Sequence, residues 1–276
     1  MMGSVMDSYQ LTQGDTPLLI SMPHAGTALT PAVEAGLNEA ALSLADTDWH
    51  LPRLYDFAAA LGASRLEARY SRYVIDLNRP ENDTPLYAGA TTGLFPDTDF
   101  DGEPLFRDGQ VPSKEEREWA KEHVWRPYHN VLAGELARLK ARFGYALLFD
   151  AHSIRSRIPR LFDDQLPDIN LGTFEERSCD SELSKSLQAV CAAQSRFTHV
   201  INGRFKGGHI TRSYGDPASH IHAVQLELSQ RTYMNEPDDD QPIFAYREDR
   251  AAEVRPVLRE VLEAMQRWGQ ARYAKG

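Results

Sequence analysis

Cysteine is nearly absent from this chain, and so are apolar runs of any length. Of 276 residues only two are cysteine, Cys179 and Cys191. If a helix separates them they stand about 18 Å apart, far beyond disulfide reach, which excludes a disulfide-stapled secreted domain and fits a reducing compartment. No apolar stretch approaches the roughly 20 residues of a membrane span. The first ten residues, Met1 to Gln10, lack the basic start and apolar core of a signal peptide. Basic charge is also short, with a formal net charge of −10. That balance sets the expectation that a nucleic-acid backbone is not a partner. The expectation is a cytoplasmic protein that meets neither membrane nor nucleic acid. Also missing are a Gly-x-Ser-x-Gly elbow, a phosphate-binding loop and any internal repeat.

A 42% hydrophobic content is enough for a sizeable core. Strand-like and helix-like patterns alternate along the chain, which favours an α/β fold. No linker interrupts them, so residues 1–276 read as a single domain. Strands are expected at 18–22, 72–77, 145–149, about 198–202 and 223–228. A helix is expected from Asp48 to Leu61, with Leu51, Leu54, Tyr55 and Ala58 on one face and Gly62 ending it. Ser113 and Glu116 form a capping box that opens a helix toward Phe143, divided or kinked at Pro127. Further helices are expected at 175–193 and about 250–268. Residues 79–112 are rich in Pro, Gly, Asp and Thr; a loop of that length commonly binds ligand or closes over it. A second loop-rich stretch is expected at 155–173, and Gly207-Gly208-His209 reads as a turn or flexible loop.

Three apolar runs each deliver a polar group at or near their end. Leu18 to Met22 leads to His24, Tyr145 to Phe149 leads to Asp150-Ala151-His152-Ser153, and Ala223 to Leu228 contains Glu227. Open α/β sheets gather their sites at the carboxyl ends of strands. Two histidines and a glutamate arriving this way suit a metal and a general base. Asp150 is placed to orient the His152 imidazole, or else to cap the next turn. Zinc hydrolases commonly use three protein ligands, and the third candidate lies in Asp46-Thr47-Asp48-Trp49-His50. Asp48 is favoured as ligand with His50 facing substrate, and the exchanged assignment stays open, as does a plain helix cap. Glu227 has two readings. It faces a metal site and moves protons, or it faces solvent while Val224, Leu226 and Leu228 form the buried side.

Asp76-Leu77-Asn78-Arg79-Pro80 adds a planar guanidinium beside an amide donor, a pairing suited to a substrate carboxylate. Arg72 and Arg155 are further candidates for such a grip.

These segments carry a resemblance. Ser21 to Gly26, Asp46 to His50, Arg72 to Pro80, Thr92-Gly93-Leu94, Phe100 to Leu105, Asp150 to Ser153 and Asn202 to Gly208 together resemble the N-formylglutamate amidohydrolases along most of the chain. The resemblance implies a zinc-carboxypeptidase-like fold, three layers with a mixed central sheet flanked by helices. It implies one Zn2+ ion and hydrolysis of N-formyl-L-glutamate to formate and L-glutamate, the last step of histidine degradation. His24 and His152 then match metal ligands, Glu227 the catalytic glutamate, and Asn78 and Arg79 the carboxylate pair. Carboxypeptidase-like relatives take a ligand from a glutamate three residues after the first histidine. Here that residue is Thr27, which strengthens Asp48 as the replacement. His209 or Arg212 is placed to meet a second substrate carboxylate.

Overall fold

The computed structural model describes residues 7–86, 92–239 and 242–274. Its strands are β1 (Tyr9–Thr12), β2 (Leu18–Met22), β3 (Ser64–Ala68), β4 (Ala146–Ile154), β5 (Ile169–Gly172), β6 (His199–Ile201) and β7 (Ile221–Ser229). They form one mixed sheet in the order β1-β3-β2-β4-β7-β5-β6. The adjacent strands β3, β2, β4 and β7 are parallel, and β1 and β5 join them antiparallel on either side. The helices are α1 (Pro31–Gly36), α2 (Leu51–Leu54), α3 (Lys114–Ala120), α4 (Arg126–Phe143), α5 (Ser181–Ala192), α6 (His209–Tyr214) and α7 (Glu248–Tyr273).

Strand alternation decides what each face carries. On β4, Leu147, Phe149 and Ala151 join Val224, Leu226 and Leu228 of β7 in a core under α2, α5 and α7. Ala146, Leu148 and Ala223 face the other way, toward Tyr128, Leu132, Leu136 and Leu139 of α4. Their alternation partners Asp150, His152, Gln225 and Glu227 share that second face. The register sharpens this, because Ser21 pairs with Asp150, Asp150 with Gln225, and His152 with Glu227. Both faces of β7 are buried, so Glu227 is not a solvent-side residue.

Several expected elements shift. Residues 72–77 are not a strand. After β3 the chain leaves the sheet in successive turns, with Val74 N donating to Ser71 O and Arg79 N to Asp76 O. Tyr73, Ile75 and Leu77 are buried, but so are Arg72, Val74 and Asp76, so the apparent alternation had no exposed side. The 48–61 helix becomes α2 and a 3-10 stretch at Asp56–Leu61, with Leu51, Leu54, Tyr55 and Ala58 all buried and Gly62 closing it at φ 64°. The 175–193 helix begins only at Ser181, because Phe174, Glu175 and Glu176 all have positive φ and Asp180 supplies the cap. The strand at 145–149 extends to Ile154, and β5 lies within the expected loop 155–173.

The capping box at Ser113 is present, and the helix beyond it is divided ahead of Pro127 by a π-helical stretch, Lys121–Trp125. Proline lacks the N–H that a continuous α-helix requires there. Cys179 and Cys191 are both free and buried. Among the described residues no helix is long and apolar enough to cross a membrane. Of the 79–112 loop, residues 87–91 lie outside the described set, as do residues 1–6 of the amino-terminal stretch.

Candidate active site

His24 leaves the end of β2, and its carbonyl accepts from Asp48 N at 3.0 Å, which draws the 46–50 segment alongside. Asp48 Oδ2 then lies 3.1 Å from His152 Nδ1 and 3.8 Å from His24 Nδ1. All three residues are buried, and each offers one ligand atom within 4.8 Å of the others. Asp48 is not a helix cap. The residue before α2 is His50, in the left-handed region at φ 63° and without a side-chain cap bond. Thr27, three residues after His24, is exposed and is not part of this cluster.

The far side of each imidazole meets another carboxylate. His24 Nε2 is 2.7 Å from Asp76 Oδ1, and His152 Nε2 is 3.2 Å from Asp150 Oδ2. Carboxylates behind metal-binding imidazoles fix the ring and raise its basicity. Asp76 also accepts from Arg72 Nη2 at 2.7 Å and from Asn78 N at 2.8 Å. Burial alone would raise the Asp76 pKa, but His24, Arg72 and Arg79 together hold it well below the usual carboxylate range. Burial, aided by Arg72, lowers the His24 pKa and so favours the neutral imidazole a metal needs. At His152 burial is outweighed by Asp150 and Asp48, and the pKa stands well above the ordinary value. Three buried carboxylates crowd two imidazoles, which suits a divalent cation among Nδ1 of each ring and Asp48 Oδ2.

Glu227 stands beside His152 across the β4–β7 pair. Burial pushes its pKa up to about 8, with His152 drawing it down and Asp48 pushing it up. A cation in the adjacent cluster would draw it back toward ionisation near neutrality. Its aim is fixed by Gln225. Gly208 N donates to Gln225 Oε1 at 2.7 Å, which sets the amide orientation, and Gln225 Nε2 donates to Glu227 Oε2 at 3.2 Å.

The expected Gly207-Gly208-His209 turn is the amino-terminal end of α6, and it bolts the site together. Ile210 N donates to Asn78 Oδ1 at 2.8 Å, and Thr211 Oγ1 to Asp150 Oδ2 at 3.2 Å. A Cβ on Gly208 would fall 2.3 Å from Asn78 Nδ2, so only glycine permits this approach.

Arg72, Asn78, Arg79, His24, His152 and Glu227 all line one cleft. Arg79 is held by Thr92 O at 2.8 Å and Asn78 O at 3.0 Å. Three other expected substrate contacts are not brought into this wall. His50 Nε2 bonds Phe244 O at 2.7 Å, and its ring packs edge-on against Tyr246. Arg155 pairs with Asp101 at 2.8 Å, with Asp46 3.8 Å away. His209 packs against Trp125 and His129 and bonds Ser213 Oγ. Conversely, Arg204, Phe205 and Gln225 line the cleft and were not singled out as site residues. Arg204 and Phe205 sit in the 202–208 segment that carries part of the resemblance, and Gln225 shares the sheet face of Glu227.

Two donors from the π-helical stretch and α4 grip the backbone of the 76–80 segment. Trp125 Nε1 donates to Arg79 O at 3.0 Å, and His129 Nε2 lies 2.9 Å from Leu77 O. Burial, reinforced by His209, lowers the His129 pKa to about 3. A depressed imidazole pKa contributes stability above the unfolded value, here 6.5, and that stability is lost as pH falls toward the folded value. The expected loss is about 1 kcal/mol between pH 6 and pH 5. His129→Gln, which keeps a donor for Leu77 O, should flatten that slope in denaturant titrations. An unchanged slope would contradict the burial of a neutral ring.

The mixed sheet, the strand-end cluster and the buried glutamate together form the kind of site that suits a metal-assisted hydrolytic enzyme of the α/β class. Comparison with known proteins narrows this. The family described as N-formylglutamate amidohydrolase matches residues 16–234. A Pseudomonas aeruginosa protein named N-formylglutamate deformylase is 64% identical over 262 residues, covering 95% of this chain and 97% of the relative. One of the same name from Pseudomonas putida is 62% identical over 263 residues, with 95% and 97% covered. The crystal structure of the Ralstonia eutropha JMP134 N-formylglutamate amidohydrolase shares the fold at a TM-score of 0.79 and 22% identity, covering 96% of this chain and 98% of that one. This chain belongs to the N-formylglutamate amidohydrolase family.

Proposed function

We propose that the chain, acting as one domain, is a zinc-dependent deformylase that hydrolyses N-formyl-L-glutamate to formate and L-glutamate, the closing step of a histidine degradation route. The observation that carries this reading is that the two histidines of the His24–Asp48–His152 cluster, Glu227 and the Asn78–Arg79 pair line a single cleft, with Asp48 buried behind the histidines. One zinc ion held by His24, Asp48 and His152 would supply Lewis acidity, polarising the formyl carbonyl and acidifying water. Asn78 and Arg79 bind a substrate carboxylate and set the formyl group against the cluster. Glu227 takes a proton from the attacking water, holds it while the new C–O bond forms, and delivers it to the glutamate nitrogen as the C–N bond breaks. Arg72 lines the cleft over the Phe100 ring, 4.7 Å from its centroid, and faces the carbonyl oxygen as that atom gains charge. Asp76 and Asp150 keep the two imidazoles oriented throughout.

The test is a substrate panel of N-formyl-L-glutamate, N-acetyl-L-glutamate and a short glutamyl peptide with the zinc-loaded protein. Formate release from the first should exceed turnover of the others by at least about 100-fold, given what one added methyl and a displaced carbonyl lose in a fitted site. Preference for the acetyl or peptide substrate would assign the chain to another N-acyl hydrolase activity.

A further inference from the structure

Three arginines line the cleft, and only two of them come from the segment around Asn78. Arg72 is buried, 2.7 Å from Asp76 and within the field of Asp48 and Asp46, which holds it beside the His24–Asp48–His152 cluster, where the proposed function assigns it to the carbonyl oxygen. Arg79 is fixed on the carbonyls of Thr92 and Asn78. Arg204 arrives from a different element, the connection between β6 and α6. Its Nε donates to Leu161 O at 2.9 Å, and its guanidinium faces the Phe205 ring, 5.6 Å from the centroid.

The connection that carries Arg204 is anchored at both ends. Asn202 adopts a φ of 51°; its side-chain oxygen accepts from Thr173 N at 2.9 Å, and its amide donates to Thr173 Oγ1 at 2.8 Å. At the other end Gly208 N bonds Gln225, which in turn bonds Glu227. Arg204 is thus presented from a braced loop, tied through the same bonds to the general base. The cleft wall around it includes Leu161, Ile154 and Phe205, which suits the methylenes of a short side chain.

N-Formylglutamate has two carboxylates, and either one left unmatched in the cleft would oppose binding. Among the described residues Glu227 is the only carboxylate that lines the cleft, so it offers the substrate repulsion and no grip. Asn78 and Arg79 meet one substrate carboxylate. Arg155 and His209, the other expected partners, lie outside the wall. Resting on the deformylase reading, we infer that Arg204 binds the side-chain carboxylate of the substrate and sets the preference for acidic over neutral N-formyl amino acids. Asn78 and Arg79 then hold the α-carboxylate.

The experiment compares kcat/KM for N-formyl-L-glutamate, N-formyl-L-glutamine and the α-amide of N-formyl-L-glutamate. It uses the zinc-loaded wild-type protein, Arg204→Gln, Arg204→Lys and Arg79→Gln. In Arg204→Gln the glutamate-to-glutamine preference should fall by roughly 30- to 100-fold, as expected for loss of a charge-assisted bond, with the change residing in KM. Arg204→Lys keeps the charge without the fork and should fall between. Discrimination against the α-amide should persist in Arg204→Gln and collapse in Arg79→Gln. A glutamate-to-glutamine preference unchanged within threefold in both Arg204 variants overturns the inference, as does a loss that follows the α-amide instead. Wild-type protein that releases no formate from N-formylglutamate overturns the deformylase reading itself. Normal wild-type turnover with an unaltered preference removes only the role given to Arg204.

Discussion

Glu227→Gln should lower kcat for formate release by about 10³- to 10⁴-fold while leaving bound metal and fold intact. The substitution preserves volume, and Gln225 Nε2, 3.2 Å from Glu227 Oε2, still finds an amide oxygen to bond. What disappears is the one carboxylate that lines the cleft among the described residues, the group proposed to accept a proton from water and return it to the leaving nitrogen. Glu227 lies outside the His24–Asp48–His152 set, so metal content should not change. Stability should hold or rise, because the substitution removes a buried ionisable group whose pKa burial has pushed up to about 8. The measurements are single-turnover formate release, metal stoichiometry and thermal unfolding on one preparation. Near-normal turnover with metal in place would remove Glu227 from the chemistry.

Asp48→Ala should strip the protein of metal, lowering affinity by more than about 100-fold, since loss of even an outer partner of a metal ligand costs 10- to 100-fold. Without Asp48 the two Nδ1 atoms remain as a two-ligand site. Asp48→Asn keeps the volume and removes the charge, so it separates ligation from packing. His50→Ala is the matched control. Its ring is tied to Phe244 O at 2.7 Å and packed on Tyr246, so the substitution should leave metal content unchanged. Metal analysis after dialysis reads all three variants. Full metal in Asp48→Ala, or its loss in His50→Ala, would transfer the third ligand away from Asp48.

The residues that meet in the candidate site were largely legible in the sequence because they sit on short, patterned segments. His24, His152 and Glu227 are read from strand ends, and the parallel register of β2, β4 and β7 brings them to one face. Asp48 required a different argument, the lack of a carboxylate at Thr27 together with an acidic cluster before a helix. Its approach to His24 depends on one backbone bond between segments more than twenty residues apart, which no local pattern encodes.

The misplacements have physical causes as well. At 72–77 burial on all sides imitated a strand, whereas turns bring Arg72 within 2.7 Å of Asp76 and let Asn78 N donate to Asp76 Oδ1. Arg155 follows His152 closely in sequence, but β4 continues to Ile154 and hands Arg155 to Asp101. Strands β1, β3 and β5 have four or five residues each and give too short a period to read alone. Gly207-Gly208-His209 reads in the sequence only as a turn or flexible loop, and what crowds Gly208 lies far away in the chain. The structure identifies it as Asn78.

The central claim, that a metal held by His24, Asp48 and His152 and a base at Glu227 deformylate N-formylglutamate, meets its most direct test in one assay. Purified protein is given N-formyl-L-glutamate, and formate is measured before chelation, after chelator and dialysis, and after zinc is restored at one equivalent. The account predicts formate release that disappears with the metal and returns with that single equivalent. Formate release that persists at the full rate in metal-free protein would contradict it.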